Sequence, residues 1–336
     1  METWDLLRNV WFLLIGVLLA GYSVLDGFDL GIGALFPFLA KNEDEKRTLI
    51  RAIGPVWDGN EVWLLTGGGA LFAAFPLAYA TVFSGFYLAL MLVLFALILR
   101  AVSLEFLAHD PARKGLWEAA FVGGSLLPSL LFGVALGNVI VGVPLDARTE
   151  YAGNFFTLLR PLPLVFGVLG LAAILLQGST YATLKTGGAL QERARKTAGI
   201  LAFAAAAVFF LSFVAVWVYL PGALKRTPAW IFAGLVYLSL GLVGRAVRKA
   251  NDRTAFIFSS AAFLALWGVA GSIHYPNLVR AADPALSLTI TNASSSALTL
   301  KVMLIIALVG MPLVVGFTIF AYRVFKGKAE PGGEGY

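Results

Sequence analysis

The sequence predicts an all-α integral membrane protein of about nine transmembrane helices, arranged as two four-helix bundles plus one peripheral helix. Three observations lead there. Of 336 residues, 59% are hydrophobic and only 13% charged, too few charges to cover a soluble fold of this size. The charges fall in short clusters between apolar runs. Nine of those runs reach the roughly 20 residues that a helix rising ~1.5 Å per residue needs to cross a bilayer. The bundle arrangement follows from the helix count alone.

In chain order the expected spans are 8–40, 50–75, 79–108, 115–142, 161–184, 197–220, 228–249, 254–274 and 299–325. The first apolar stretch, from Val10 to Ala20, has no basic segment before it and no small-residue cleavage site after it, so it reads as the start of a helix rather than a signal peptide. The first three spans carry internal charge, and the later six carry almost none away from their ends. Gly27 and Gly31 in the first span, and Gly133 and Gly137 in the fourth, sit at a spacing that lets helices approach closely.

Lys and Arg set the orientation. The links after spans 1, 3, 5, 7 and 9 hold seventeen of the twenty-five basic residues, and the opposite links hold seven, with Arg100 inside a helix. The positive-inside rule makes the richer side cytoplasmic, with the N-terminus outside and the C-terminus inside. Two external links, near 143–160 and 275–298, are the longest. In the second, Leu288-Thr289-Ile290-Thr291 alternates as a short strand does, and Ser294-Ser295-Ser296 stands where a helix cap belongs. Residues 1–328 read as a single transmembrane domain and 329–336 as a short, disordered cytoplasmic tail.

Composition excludes several functions. With no cysteine there is no disulfide framework, thiolate metal site or redox thiol. The net charge of +6 comes from residues at helix ends, the place a membrane protein puts them, and gives no support for nucleic-acid binding. Gly31-Ile32-Gly33 and Gly67-Gly68-Gly69 lie inside apolar helices with no preceding strand, so they are not phosphate loops. The two histidines, His109 and His274, stand near helix ends. They lack the companions of a metal cluster and read as interfacial residues rather than haem ligands.

Ionisable groups within a bilayer are costly, so each marks a functional or pairing site. The first three spans contain Asp26 and Asp29, Asp58 and Glu61, then Arg100 and Glu105. Each acidic pair is three residues apart and lies on one helix face, able to turn toward the bundle interior. Counted from the cytoplasmic helix ends at ~1.5 Å per residue, Asp58 and Arg100 lie about 13 Å deep, Asp29 and Glu61 about 18 Å, and Asp26 about 22 Å. Equal depth predicts a buried Arg100–Asp58 ion pair, direct or through water. The acids admit two readings: a row of titratable carboxyls that passes protons, or charges that fasten helices together. Trp57 and Trp63 flank the second acidic motif and read as packing residues against a neighbouring helix, with contact to a quinone tail as the alternative.

Read together, Gly21-Tyr22-Ser23-Val24-Leu25-Asp26-Gly27-Phe28-Asp29-Leu30-Gly31 and Gly54-Pro55-Val56-Trp57-Asp58-Gly59-Asn60-Glu61-Val62-Trp63-Leu64 carry a resemblance. With Gly67 to Pro76, Arg100, a Leu136-Gly137-Asn138 turn, Gln177-Gly178-Ser179-Thr180-Tyr181 and the Asn292–Met303 segment, the chain resembles subunit II of cytochrome bd quinol oxidase nearly end to end. The resemblance implies a bacterial inner-membrane subunit of the aerobic respiratory chain. It implies a pseudo-symmetric heterodimer with a subunit I that carries two b-type haems and one d-type haem, oxidises quinol and reduces oxygen to water. No cofactor is expected on this chain. The complex builds a membrane potential without pumping, because its substrate protons come from the cytoplasm. A small single-helix accessory subunit, membrane lipid and quinone complete the partners the family admits.

Subunit II acids of that family are implicated in supplying protons to haem d. The role carries over to Asp58, with Asp29 and Asp26 as candidates, and less securely to Glu61, where a neutral amide can stand in relatives. Two alternatives remain: the same role in a cyanide-insensitive variant of the oxidase, and a proton-coupled secondary transporter. The transporter would need broken helices in matching halves, whereas the charges here gather in one third of the chain.

Overall fold

The computed structural model describes residues 2–220 and 222–329 and is almost wholly helical. Eight of its helices are long and apolar enough to cross a membrane. They are α1 (Glu2–Leu39), α5 (Tyr87–His109), α6 (Lys114–Val141), α7 (Pro161–Lys185), α8 (Gly188–Tyr219), α9 (Thr227–Arg248), α10 (Asp252–His274) and α11 (Ala297–Val324). Between α1 and α5 lie three shorter ones, α2 (Glu43–Ile53), α3 (Trp57–Ala74) and α4 (Pro76–Gly85). The expected nine spans are thus eight plus α3, which is 18 residues long and carries Asp58 and Glu61 in its first half.

The second and third expected spans are each divided, at Pro55 and at Phe86, and a further proline sits at the expected boundary between them; prolines thus account for two of the three breaks. Pro55 has no N–H to continue α2, which closes with the Gly54 N–H donating to the Ile50 carbonyl at 2.8 Å. Phe75, at φ −136° and ψ 65°, is pushed out of helical geometry by the proline that follows, and Pro76 opens α4. The third break, at Phe86, lies where the loop after α6 crosses: a methyl group on Gly85 would come within 2.6 Å of Tyr151. The expected turn at Leu136-Gly137-Asn138 is instead the last part of α6. The chain turns at Gly142, whose φ of +108° suits glycine. Arg160 holds this corner through the Gly142 carbonyl and Asn138 Oδ1.

α1 is the spine, packed on α3, α6 and α7; α5 lies along α6; and α7 to α10 form a second group in which α9 pairs with α8 and α10. Where α1 crosses α7 the backbones nearly touch. A Cβ on Gly31 would stand 2.7 Å from the Gly178 Cα. Gln177, in the same turn, donates to the Val24 carbonyl and to Ser260 and accepts from Ser259, fastening α1, α7 and α10 through a buried side chain. α11 stands at the periphery, and none of its most apolar window is buried.

At one end the loops fold into a small cap. β1 (Asn277–Val279) and β2 (Leu288–Thr289) pair antiparallel, and Ser296 caps α11 by accepting the Thr299 N–H at 3.2 Å. The opposite end gathers the basic links. There α2 is tied to α8 by the Glu45–Arg193 ion pair, and Glu43 and Glu118 engage Lys114 and Lys46. Burial works against the charge on Glu45, yet hydrogen bonds from Arg193 and the Lys41 backbone N–H hold its carboxyl below the usual range. Of the tail expected at 329–336, only Ala329 is described; its N–H donates to the Lys185 carbonyl at 2.8 Å, and 330–336 lie outside the described residues.

Candidate functional site

α3 packs on α1, and α5 packs on α6; α3 and α5 make little direct contact. Arg100 of α5 bridges that gap. Its side chain is fully buried, with Nη1 donating to Glu61 Oε1 at 2.8 Å and Nη2 lying 3.1 Å from Asp26 Oδ1. Trp57 stands over the same guanidinium, 6.0 Å from ring centroid to Cζ. One arginine therefore joins the acids of α1 and α3.

Of the expected Arg100–Asp58 pairing, the direct ion pair is not formed: Asp26 and Glu61 hold the guanidinium instead. Depth fixes height along a helix but not the direction a side chain points. The depth of Asp58 was also counted along a continuous helix from Leu49, whereas α3 starts afresh at Trp57. Asp58 falls in the first turn and is exposed on this chain, and Glu105 is likewise exposed on α5. Asp58 and Glu61 consequently do not share one inward face as the spacing suggested.

Asp29 is fully buried one turn from Asp26, and its partner is Asn60, whose Nδ2 donates to Asp29 Oδ2 at 2.7 Å. Asn60 in turn accepts the hydroxyl of Tyr322, from α11, at 2.9 Å. Reasoning from charge alone missed both. Asn60 had a signal, since it stands between Asp58 and Glu61 and a buried amide needs partners as a carboxylate does. Tyr322 had none, because a tyrosine near the end of an apolar helix reads as an ordinary interfacial aromatic.

The exposures form a gradient. Asp58 is at the surface, the Glu61 side chain is 25% exposed, and Arg100, Asp26 and Asp29 are at 0%. Among the described residues, Asp26 Oδ2, Asp29 Oδ1 and Arg100 Nε are buried with no hydrogen-bond partner, and Asp26 Oδ1 meets Arg100 as an ion pair. Buried polar atoms of this kind are ordinarily satisfied by water or a proton. Three inner carboxyls around one guanidinium cannot all be neutralised by it. The cluster can therefore hold protons, as well as fasten α1, α3 and α5.

Elsewhere the flanking aromatics pack. Trp63 lies against α1 at Gly21, where a Cβ would come within 2.6 Å of its ring. His274 is buried at the end of α10 with Nε2 2.9 Å from the Leu278 carbonyl, and His109 is exposed with Nδ1 2.8 Å from the Glu105 carbonyl. His109 is thus tied to its own helix and His274 to the strand that follows. Among the described residues, no three His, Asp or Glu side chains are arranged to hold a metal ion.

Comparison with known proteins finds relatives over nearly the whole length of the chain. The family model described as cytochrome bd terminal oxidase subunit II matches residues 7–325. Cytochrome bd-I ubiquinol oxidase subunit 2 of Escherichia coli strain K12 is 36% identical, covering 98% of this chain and 96% of that protein. Cytochrome bd ubiquinol oxidase subunit 2 of Bacillus subtilis strain 168 is 37% identical, covering 96% and 97%. The fold matches a chain of the bd oxidase structure from Geobacillus thermodenitrificans with a TM-score of 0.79, at 17% identity, over 95% of this chain and 98% of that one. The chain belongs to the cytochrome bd terminal oxidase subunit II family.

Proposed function

We infer that the chain, as a member of that family, is one subunit of a quinol oxidase and works with a subunit I. We propose that it carries no haem itself, that it supports a subunit I bearing two b-type haems and one d-type haem, and that it supplies protons to the site where that partner reduces oxygen. The protons are taken from the cytoplasm, which lies at the basic end; the N-terminus is external. The observation that carries this reading is the gradient of exposure along Asp58, Glu61, Asp26 and Asp29.

Asp58 is the outer member. An exposed carboxylate in the first turn of a membrane helix is costly against lipid and is accommodated where protein or water meets it. Glu61 stands one turn further in and touches both the surface and Arg100. Arg100 keeps Asp26 and Glu61 close without neutralising Asp29, so a proton arriving at Glu61 has neighbouring acceptors on α1. The chain's part in the chemistry is to hold and move protons, while quinol oxidation and oxygen reduction take place on subunit I.

Asp58→Asn in the assembled oxidase tests the reading. We expect quinol-driven oxygen uptake to fall about a hundredfold with the haem spectrum unchanged, the low end of what removing a positioned acid or base costs. Normal turnover with full haem content removes Asp58 from the route, and loss of the haem signals assigns it to fastening instead.

A further inference from the structure

We propose that Tyr322, on the peripheral helix α11, is a positioning residue for Asp29, acting through Asn60; the proposal rests on the proton-supply reading above. The three side chains come from three helices and form a single line. Tyr322 Oη donates to Asn60 Oδ1 at 2.9 Å, and Asn60 Nδ2 donates to Asp29 Oδ2 at 2.7 Å and to the Leu25 carbonyl at 3.4 Å.

An asparagine amide has an acceptor end and a donor end, and which one a neighbour meets depends on what holds the other. With the Tyr322 hydroxyl on Oδ1, the NH2 group faces Asp29. The reversed amide would set Oδ1 against the Leu25 carbonyl and, while it is ionised, Asp29 Oδ2; these two acceptors select the orientation, which leaves Oδ1 as the end the Tyr322 hydroxyl satisfies. Asn60 is only 2% exposed. Without the hydroxyl its Oδ1 is a buried acceptor lacking a protein partner, and the side chain gains by turning toward water and away from Asp29. The Tyr322 ring itself is held independently of this bond, edge-on to the fully buried Phe28 at 6.5 Å. The hydroxyl is therefore separable from the packing, and it links the last turn of the peripheral α11 to an acid in the interior.

Tyr322→Phe keeps the ring and removes the bond. In the assembled oxidase, compared with Asp29→Asn and the double variant, three readouts apply: quinol-driven oxygen uptake, haem content, and the infrared carboxyl band of Asp29, identified by its loss in Asp29→Asn. We expect Tyr322→Phe to lower uptake about fivefold, the effect of one ordinary hydrogen bond. Haem content should be unchanged, the Asp29 band should shift, and the double variant should turn over no more slowly than Asp29→Asn. A Tyr322→Phe enzyme with wild-type uptake and an unshifted band, alongside an impaired Asp29→Asn, overturns the role of Tyr322 and leaves the proton route standing. Asp29→Asn at full turnover overturns the proton route instead, and the band then decides the positioning role alone.

Discussion

Arg100 has to be understood with both of its carboxylates, because a fully buried guanidinium is tolerated only while it is paired. Arg100→Leu leaves Asp26 and Glu61 without their cation, and breaking a buried pair in this way costs about 3–5 kcal/mol. We expect a subunit that fails to assemble, read as loss of haem from the purified complex. Arg100→Lys retains the charge but not a fork wide enough for both acids, and should assemble with lowered thermal stability. The burial of Asp26, Asp29 and Arg100 was legible from their place within apolar runs, whereas the exposure of Asp58 and Glu105 was not. Nor was the pairing, since Asp58 and Glu61, only three positions apart, end with one exposed and the other on Arg100.

Helix ends and crossings decide how the site is held. The crossing of α1 and α7 depends on Gly31 and Gly178 lacking side chains, with the Gly31 Cβ position 2.2 Å from the Ile174 carbonyl oxygen. Gly178→Leu must separate the two backbones, and we expect a drop in the detergent melting temperature of the complex larger than that of Gly16→Leu, a position with open space around it. The anchoring of α2 is pH-dependent. The Glu45 carboxyl is held below its usual range, so its stabilising contribution is present above the unfolded-state value of about 4.3 and is lost as pH falls through the lower folded-state value. Glu45→Gln should therefore melt at a lower temperature than the native protein at pH 7, with the two curves converging in acid. The long apolar helices, including α5 to α11, were legible from hydropathy. The boundary at Pro76 was legible too, but the division at Pro55 was not, because averaging hydrophobicity over a window passes across a single missing N–H.

At the scale of the molecule, the acids of the first three expected spans converge in one region because α1 packs on α3 and α6 and α5 lies along α6. That convergence was legible in outline, as charge confined to one third of the chain. The contribution of α11 was not, because Tyr322 is distant in sequence from every acid it serves and carries no charge to mark it. The central claim is that this cluster carries protons from the basic end toward the partner's oxygen-reducing site. Its most direct test is the rate of proton uptake from the medium at the basic end, recorded with a pH indicator on oriented proteoliposomes of the whole oxidase during quinol-driven turnover. The account predicts that Asp29→Asn slows that uptake about a hundredfold while the haem spectrum stays that of the native enzyme. Proton uptake at the native rate with full haem content would contradict it.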